Sequence, residues 1–157
     1  MKTNTFHAKK VLVALFTVLR PLLTSAYDFE IDGIYYNITS LQDLTVEVTS
    51  GDSKYIEDIV IPPSVEYSNR TFSVTKLGDS AFKNSQITSI SIPNTVTAAG
   101  TYVFSGCSKL TSITIPSSMT IFENGCFKSC YNLSHVVIED SNTTLSLYFN
   151  EWQVNNS

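Results

Sequence analysis

Three stretches of this chain carry one pattern at one interval. Residues 81–93 read AFKNSQITSISIP, residues 103–116 read VFSGCSKLTSITIP and residues 126–139 read CFKSCYNLSHVVIE. Ile87, Leu110 and Leu133 stand 23 apart, as do Ile90, Ile113 and Val136, and Ile92, Ile115 and Ile138. Val96 and Met119 keep the same step, and so do Cys107 and Cys130. Phe82, Phe104 and Phe127 step by 22 and then 23, because the first copy lacks one residue after Ser85. So many columns held in register define an internal repeat, and a repeat restricts the chain to stacked units.

Copies of this length with an L/I-x-x-I/V-x-I core imply a leucine-rich solenoid. Each copy is expected to place a short strand at the core and to return by a turn and an irregular or short helical segment. The apolar residues then point inward and stack on their counterparts in the next coil. Pro93 and Pro116 follow the last isoleucine of their copies and end the strand, since proline cannot donate to a ladder. One coil cannot offset the entropy of ordering its own backbone. Stability is therefore a property of neighbours, and the end coils need covers.

Other segments depart from the period. FEIDGIYYNI places Asp32-Gly33 between two apolar-aromatic runs, a strong hairpin signal. LTVEVTS alternates and reads as a third strand. IEDIVIPPSV, residues 56–65, is a first core with a proline stop, but Ile61 to Ile92 is 31 residues, an excess of eight. EYSNRTFSVTKLG supplies the excess as an extra hairpin. VVIEDSNTTLSLYFNEWQVNNS begins another coil and then stops, either as a degenerate cover or as a coil cut short.

The run I/L-G-x-x-A-F-x-x-C-x-x-L-x-x-I-x-I-P-x-S-V resembles the BspA-type leucine-rich repeat of bacterial and protozoan surface proteins. Leu77-Gly78, Ala81-Phe82, Cys107, Leu110, Ile113, Ile115-Pro116 and Ser118 sit on that pattern. YDFEIDGIYYNIT, residues 27–39, resembles the start of such proteins in Bacteroidetes, and the likeness extends over roughly residues 27–149. Glu123, Cys126 and Met119 depart from it, where the pattern has glycine, alanine and valine. The fold expected is a repeat solenoid, mainly β: a short right-handed leucine-rich-repeat solenoid of 23-residue coils with an N-terminal β-hairpin cap. Its divisions are a signal peptide over 1–26, an N-terminal β cap over 27–55, repeats over 56–140 and a degenerate or truncated C-terminal coil over 141–157.

The signal peptide is read from residues, not from the resemblance. Lys2, Lys9 and Lys10 precede the apolar run Val11–Leu19, and small residues end the stretch at Thr24-Ser25-Ala26. That is the order of an export signal cleaved after Ala26. The rival readings are a membrane anchor and a buried N-terminal helix, although the run is short of the roughly 20 residues a span takes. After cleavage six basic residues face all fourteen acidic ones, a formal charge of −8, and no second apolar stretch is long enough to cross a membrane. With 43% hydrophobic and 15% charged residues the chain is too apolar for disorder. With no basic cluster beyond residue 10, nucleic-acid binding lacks electrostatic support.

Residues able to do chemistry are few. His7 leaves with the signal, and His135 falls within a strand where it faces solvent. No Ser, Asp and His cluster at a spacing that suggests a triad. No phosphate loop or metal-ligand spacing occurs, so no cofactor or metal is expected. Cys107 and Cys130 occupy equivalent columns, close enough across one strand spacing for a disulfide. The resemblance implies instead that this column is a small buried thiol. Sequons stand at Asn37, Asn69, Asn132, Asn142 and Asn155, and matter only where exported proteins are glycosylated.

What remains is the outer face of the sheet. With Ile90 and Ile92 inward, alternation turns Ser89 and Ser91 outward, and the next copies add Ser112, Thr114, His135 and Val137. This small, polar, uncharged ladder is either a docking surface for a protein or a glycan, or simply solvated. The resemblance implies a secreted or cell-surface adhesion module that binds host extracellular-matrix proteins, such as fibronectin, or other microbes. The alternative is a structural cap or truncated fragment of a larger surface array with no ligand of its own.

Overall fold

The computed structural model describes residues 26–139 of the chain. The expected signal, apart from Ala26, and the last coil with Asn142 and Asn155 lie outside the described residues. Eleven strands and no helix occur among the described residues.

Strands β1 (Phe29–Ile31) and β2 (Ile34–Ser40) form the hairpin foreseen at Asp32-Gly33. Both turn residues have positive φ, 50° and 81°, as a tight two-residue turn of this hand requires. β3 (Thr45–Thr49) lies antiparallel to β2. β4 (Ile56–Val60) is the first core strand. The excess residues then form β5 (Ser64–Tyr67) and β6 (Arg70–Leu77), a hairpin turning at Ser68-Asn69 with φ of 51° and 58°.

The repeats follow. β7 (Gln86–Ser91), β9 (Ser112–Ile115) and β11 (His135–Ile138) are the core strands, and β8 (Ala98–Ala99) and β10 (Ile121–Phe122) lie on the return path. β9 pairs in parallel with β11 in a register of 23, Ser112 opposite His135 and Ile115 opposite Ile138. β4 pairs in parallel with β7, Ile59 opposite Ile90, across the 31-residue step. β7 and β9 lie in contact between these two ladders.

The return path differs from the irregular or helical segment expected. After Pro93 and Pro116 the chain makes one short turn, closed by Val96 N–H on the Pro93 carbonyl at 3.1 Å and Met119 N–H on the Pro116 carbonyl at 3.0 Å. It then runs extended for a few residues, too short for a helix to satisfy its own backbone groups. Those groups bond the preceding coil instead, as Thr97 N–H does to the Thr75 carbonyl at 3.0 Å and Gly100 N–H to the Leu77 carbonyl at 2.9 Å. The result is a second sheet ordered β1-β2-β3-β6-β8-β10, in which β3, β6, β8 and β10 are all parallel. The third side is a stack of turns. Phe82 N–H bonds the Val103 carbonyl at 2.9 Å, and Phe104 N–H bonds the Cys126 carbonyl at 2.8 Å. Successive coils are thus joined by backbone hydrogen bonds through the second sheet and the stack of turns, and on the core-strand side between β4 and β7 and between β9 and β11.

The core is the column these sides enclose. Phe82 and Phe104 stack with centroids 5.5 Å apart, and Phe104 and Phe127 at 5.4 Å, with rings within about 10° of parallel. Ile87, Leu110, Ile113, Ile115, Val96 and Met119 are all buried beside them. Toward the N-terminus the column continues through Tyr55, Tyr35 and Tyr27. The repeated apolar positions therefore align along one axis.

Candidate binding surface

The alternation of the core strands places all six ladder residues outward: Ser89, Ser91, Ser112, Thr114, His135 and Val137 are exposed. The β9–β11 register sets Ser112 opposite His135 and Thr114 opposite Val137. The β4–β7 register adds two residues that lie off the 23-residue step. Asp58 lies opposite Ser89, and Val60, 70% exposed, lies opposite Ser91. The signal for them is present in IEDIVIP, which has the same core as the later copies but stands 31 residues, not 23, before the next one.

Asp58 changes the character of the face. Its carboxylate accepts hydrogen bonds from Thr88 Oγ1 at 2.7 Å and Ser89 Oγ at 2.8 Å. These two donors, Thr88 first, hold its pKa below the ordinary carboxylate range, so it is anionic at neutral pH. The Ser89 hydroxyl is committed to that carboxylate. The register shifts between Glu57 and Asp58, and Glu57 has a φ of 59°. A bulge of this kind bends a strand and re-aims the side chain beside it. At the far end of the face, His135 Nδ1 and Ser134 Oγ are 2.8 Å apart. The face therefore runs from a carboxylate through hydroxyls to an imidazole, with exposed Val60 and Val137 at its two ends.

The cysteines lie elsewhere and face inward. Cys107 Sγ donates to the Phe82 carbonyl at 3.0 Å, and Cys130 Sγ makes the equivalent bond to the Phe104 carbonyl at 2.9 Å. Cys126 Sγ donates to the Glu123 carbonyl at 3.0 Å. Burial pushes the Cys107 thiol up to about 12, and the Cys126 and Cys130 thiols up to about 11. All three are free, protonated structural thiols, with little of the thiolate that nucleophilic or redox chemistry needs. Among the described residues no cluster of His, Cys, Asp and Glu is arranged to hold a metal, and no helix is long and apolar enough to cross a membrane.

Of the sequons, Asn69 is exposed at the β5–β6 turn. Asn132 is also exposed, but its amide donates to the Ser108 carbonyl at 2.6 Å. Asn37 is half-buried in β2.

Comparison with known proteins gives one family and several folds. A family model described as a BspA type leucine rich repeat region of six copies matches residues 63–155. No curated protein matches the chain. Among solved structures, a leucine rich cell surface protein from Faecalibacterium prausnitzii aligns at 22% identity and a TM-score of 0.51, covering 72% of this chain and 43% of that one. The pneumococcal vaccine antigen PcpA aligns at 14% identity and a TM-score of 0.54, covering 72% and 38%. A leucine-rich repeat protein from Bacteroides capillosus aligns at 23% identity and a TM-score of 0.53, covering 71% and 98%. At these identities the likeness is one of fold. The chain spans less than half the length of the first two.

Proposed function

We propose, from the premise that the chain belongs to the BspA-type leucine-rich repeat family, that it is an exported, non-enzymatic binding module whose outer β-face docks another macromolecule. The observation that carries this reading is the ladder itself: side chains at matched positions of successive coils stand exposed, small and mostly uncharged, on core strands paired β4 with β7 and β9 with β11. Small polar side chains lose little entropy on contact, which suits a flat docking surface. The partner is a host extracellular-matrix or surface protein, or a surface glycan. Residues 1–26 act as the signal that delivers the chain to the cell surface or medium, residues 27–55 cover the first coil, and residues 141–157 complete or cover the last.

Binding of the chain, from Tyr27 onward, to immobilised fibronectin and a panel of other matrix proteins tests the reading. Saturable binding to one of them is expected, and replacing Ser112, Thr114 and His135 together by Glu should abolish it. Undiminished binding by that variant would overturn the role of the ladder. A second reading is a structural cap or fragment within a larger array, without a ligand of its own. Its support is that the chain spans only part of two longer relatives of the same fold, and failure to bind any member of the panel would favour it. Sequencing the N-terminus of the secreted chain tests export, with Tyr27 as the expected first residue.

A further inference from the structure

The N-terminal hairpin and the first core strand line an open pocket of about 210 Å³, to which Ile34, Ile59, Val60 and the buried Tyr36 contribute together with the exposed Asp32 and Asp58. Three observations about it are independent. First, the Tyr36 side chain is fully buried, and its hydroxyl has no hydrogen-bond partner. A buried hydroxyl left unpaired is costly and uncommon in a core. Burial first, and then the nearby Asp32 carboxylate, push its pKa up to about 12, so the group stays a neutral phenol beside an anion. Secondly, the Glu57–Asp58 bulge sits on the strand that forms the pocket wall, and Glu57 adopts a left-handed conformation that a glutamate takes at some cost. That distortion sets where Asp58 stands. Thirdly, charge is segregated along the solenoid. Residues 26–66 hold nine acidic side chains against Lys54 alone, a formal charge of −8, whereas residues 67–139 hold five basic against three acidic, a formal charge of +2. The pocket lies in the acidic part.

We propose that this pocket seats a single cationic side chain, a lysine or an arginine, of a protein partner. The apolar walls match the methylene stem of such a side chain, the two carboxylates match its charged head, and the Tyr36 hydroxyl accepts one of its N–H donors. The volume is below the range of about 300–1,000 Å³ usual for whole small-molecule ligands and suits one side chain. The acidic field of the surrounding block attracts a basic segment and repels an acidic one. The assignment to a protein partner rests on the reading of the chain as a binding module; the pocket chemistry does not depend on the ladder.

Titration of the isotopically labelled chain with acetyl-Gly-Lys-Gly-amide, followed by amide chemical shifts, tests the proposal. Saturable shifts at Ile34, Ile59 and Val60 are expected, and none with the neutral acetyl-Gly-norleucine-Gly-amide. Tyr36→Phe keeps the ring and removes the hydroxyl, and Asp58→Asn removes the charge; each should weaken binding about tenfold, the worth of one charge-assisted hydrogen bond. The triple Glu ladder variant should bind the tripeptide with pocket shifts unchanged, so a failure of the ladder and a failure of the pocket give different results. Equal binding of the norleucine peptide, or unchanged affinity in Tyr36→Phe and Asp58→Asn, would overturn the proposal. Equal binding of n-butylamine would overturn the assignment to a protein side chain and make the site one for free amines.

Discussion

Residues 27–77 and residues 78–139 contribute to the same aromatic column by different means. In the second region the contacts are copies: two phenylalanine pairs have nearly the same spacing and tilt, and two cysteines make the same bond to the carbonyl of the preceding coil's phenylalanine. In the first region each contact occurs once. Tyr27, Tyr35 and Tyr55 meet at interplanar angles of 50° and 61°, and the Tyr55 hydroxyl donates to the Thr49 carbonyl at 2.6 Å while accepting from Tyr35 N–H at 3.0 Å. Gly51 leaves room for the Tyr35 ring, which a Cβ at that position would meet directly. Phe29 stacks on Tyr67 of the extra hairpin at 4.1 Å. A repeat settles its packing once and reuses it. The N-terminal region must join a periodic stack to a non-periodic edge, so its polar aromatic tips find partners one by one. It is also where the charge imbalance, the bulge and the unpaired Tyr36 hydroxyl collect.

The largest effect should come from breaking the copied column at its centre. Phe104 is fully buried between Phe82 and Phe127. Phe104→Ala should cost about 3–5 kcal/mol, read as a fall in the urea midpoint. Because each coil is stable only through its neighbours, amide protection should be lost first at β9 to β11 and last at β1 to β3. Simultaneous loss in both regions would show that they fold as one unit.

Alkaline pH separates the regions by chemistry. The thiols of the repeats have folded values near 11 and 12 against an ordinary 9.0. Burial likewise raises Tyr36 and Tyr55 of the first region above their ordinary 10.0. In each case the protonated form is the one the fold favours. The stability they confer is therefore fully present below the unfolded value and is lost as pH rises toward the folded one. The urea midpoint should begin to fall near pH 9, through the thiols, and fall more steeply above pH 10, where the tyrosines join. At about 1.4 kcal/mol for each unit of displacement, the loss reaches roughly 2–3 kcal/mol for each thiol by pH 11. Replacing Cys107, Cys126 and Cys130 by Ala should flatten the first part of that decline and leave the second. A decline that starts only above pH 10 in the parent chain would show that the thiols are not held protonated by burial.

The same contrast explains what was legible in the sequence. The columns at Ile87, Ile90 and Phe82 could be read because each coil puts its copy in the same surroundings, so one pattern is written three times. The turn at Asp32-Gly33 could be read because few residues accept its backbone angles, and the β5–β6 hairpin because its stretch exceeds the 23-residue step by eight. The second sheet could not, since β8 and β10 are two residues long and show no alternation. Nor could the parallel pairing of β3 with β6, which makes the N-terminal block a continuation of that sheet. The six ladder residues followed from alternation alone. Asp58 and Val60 depended on a 31-residue step, and the pocket depended on a hairpin meeting a strand more than twenty residues away, for which there is no local signal.

The smallest effect expected concerns the one place where the two regions were imperfectly joined. Ser85 follows Phe82 by three residues, as Cys107 follows Phe104 and Cys130 follows Phe127. By analogy its hydroxyl should reach the carbonyl of Tyr55, the ring that Phe82 meets in the preceding coil. The residue missing after Ser85 brings Gln86 up at once, and Gln86 N–H bonds the Tyr55 carbonyl at 2.9 Å. The Ser85 hydroxyl is left buried without a partner. Ser85→Ala should therefore raise stability by about 1 kcal/mol, because it removes an unsatisfied group. Cys107→Ala, at the equivalent position one coil on, should lower stability by a similar amount, because it removes a made bond and leaves a small void. Two truncations at one repeat position with opposite signs, measured as urea midpoints at unchanged slope, would locate the boundary between periodic and non-periodic packing at Ser85. A fall in both would move that boundary toward the N-terminus, to β4.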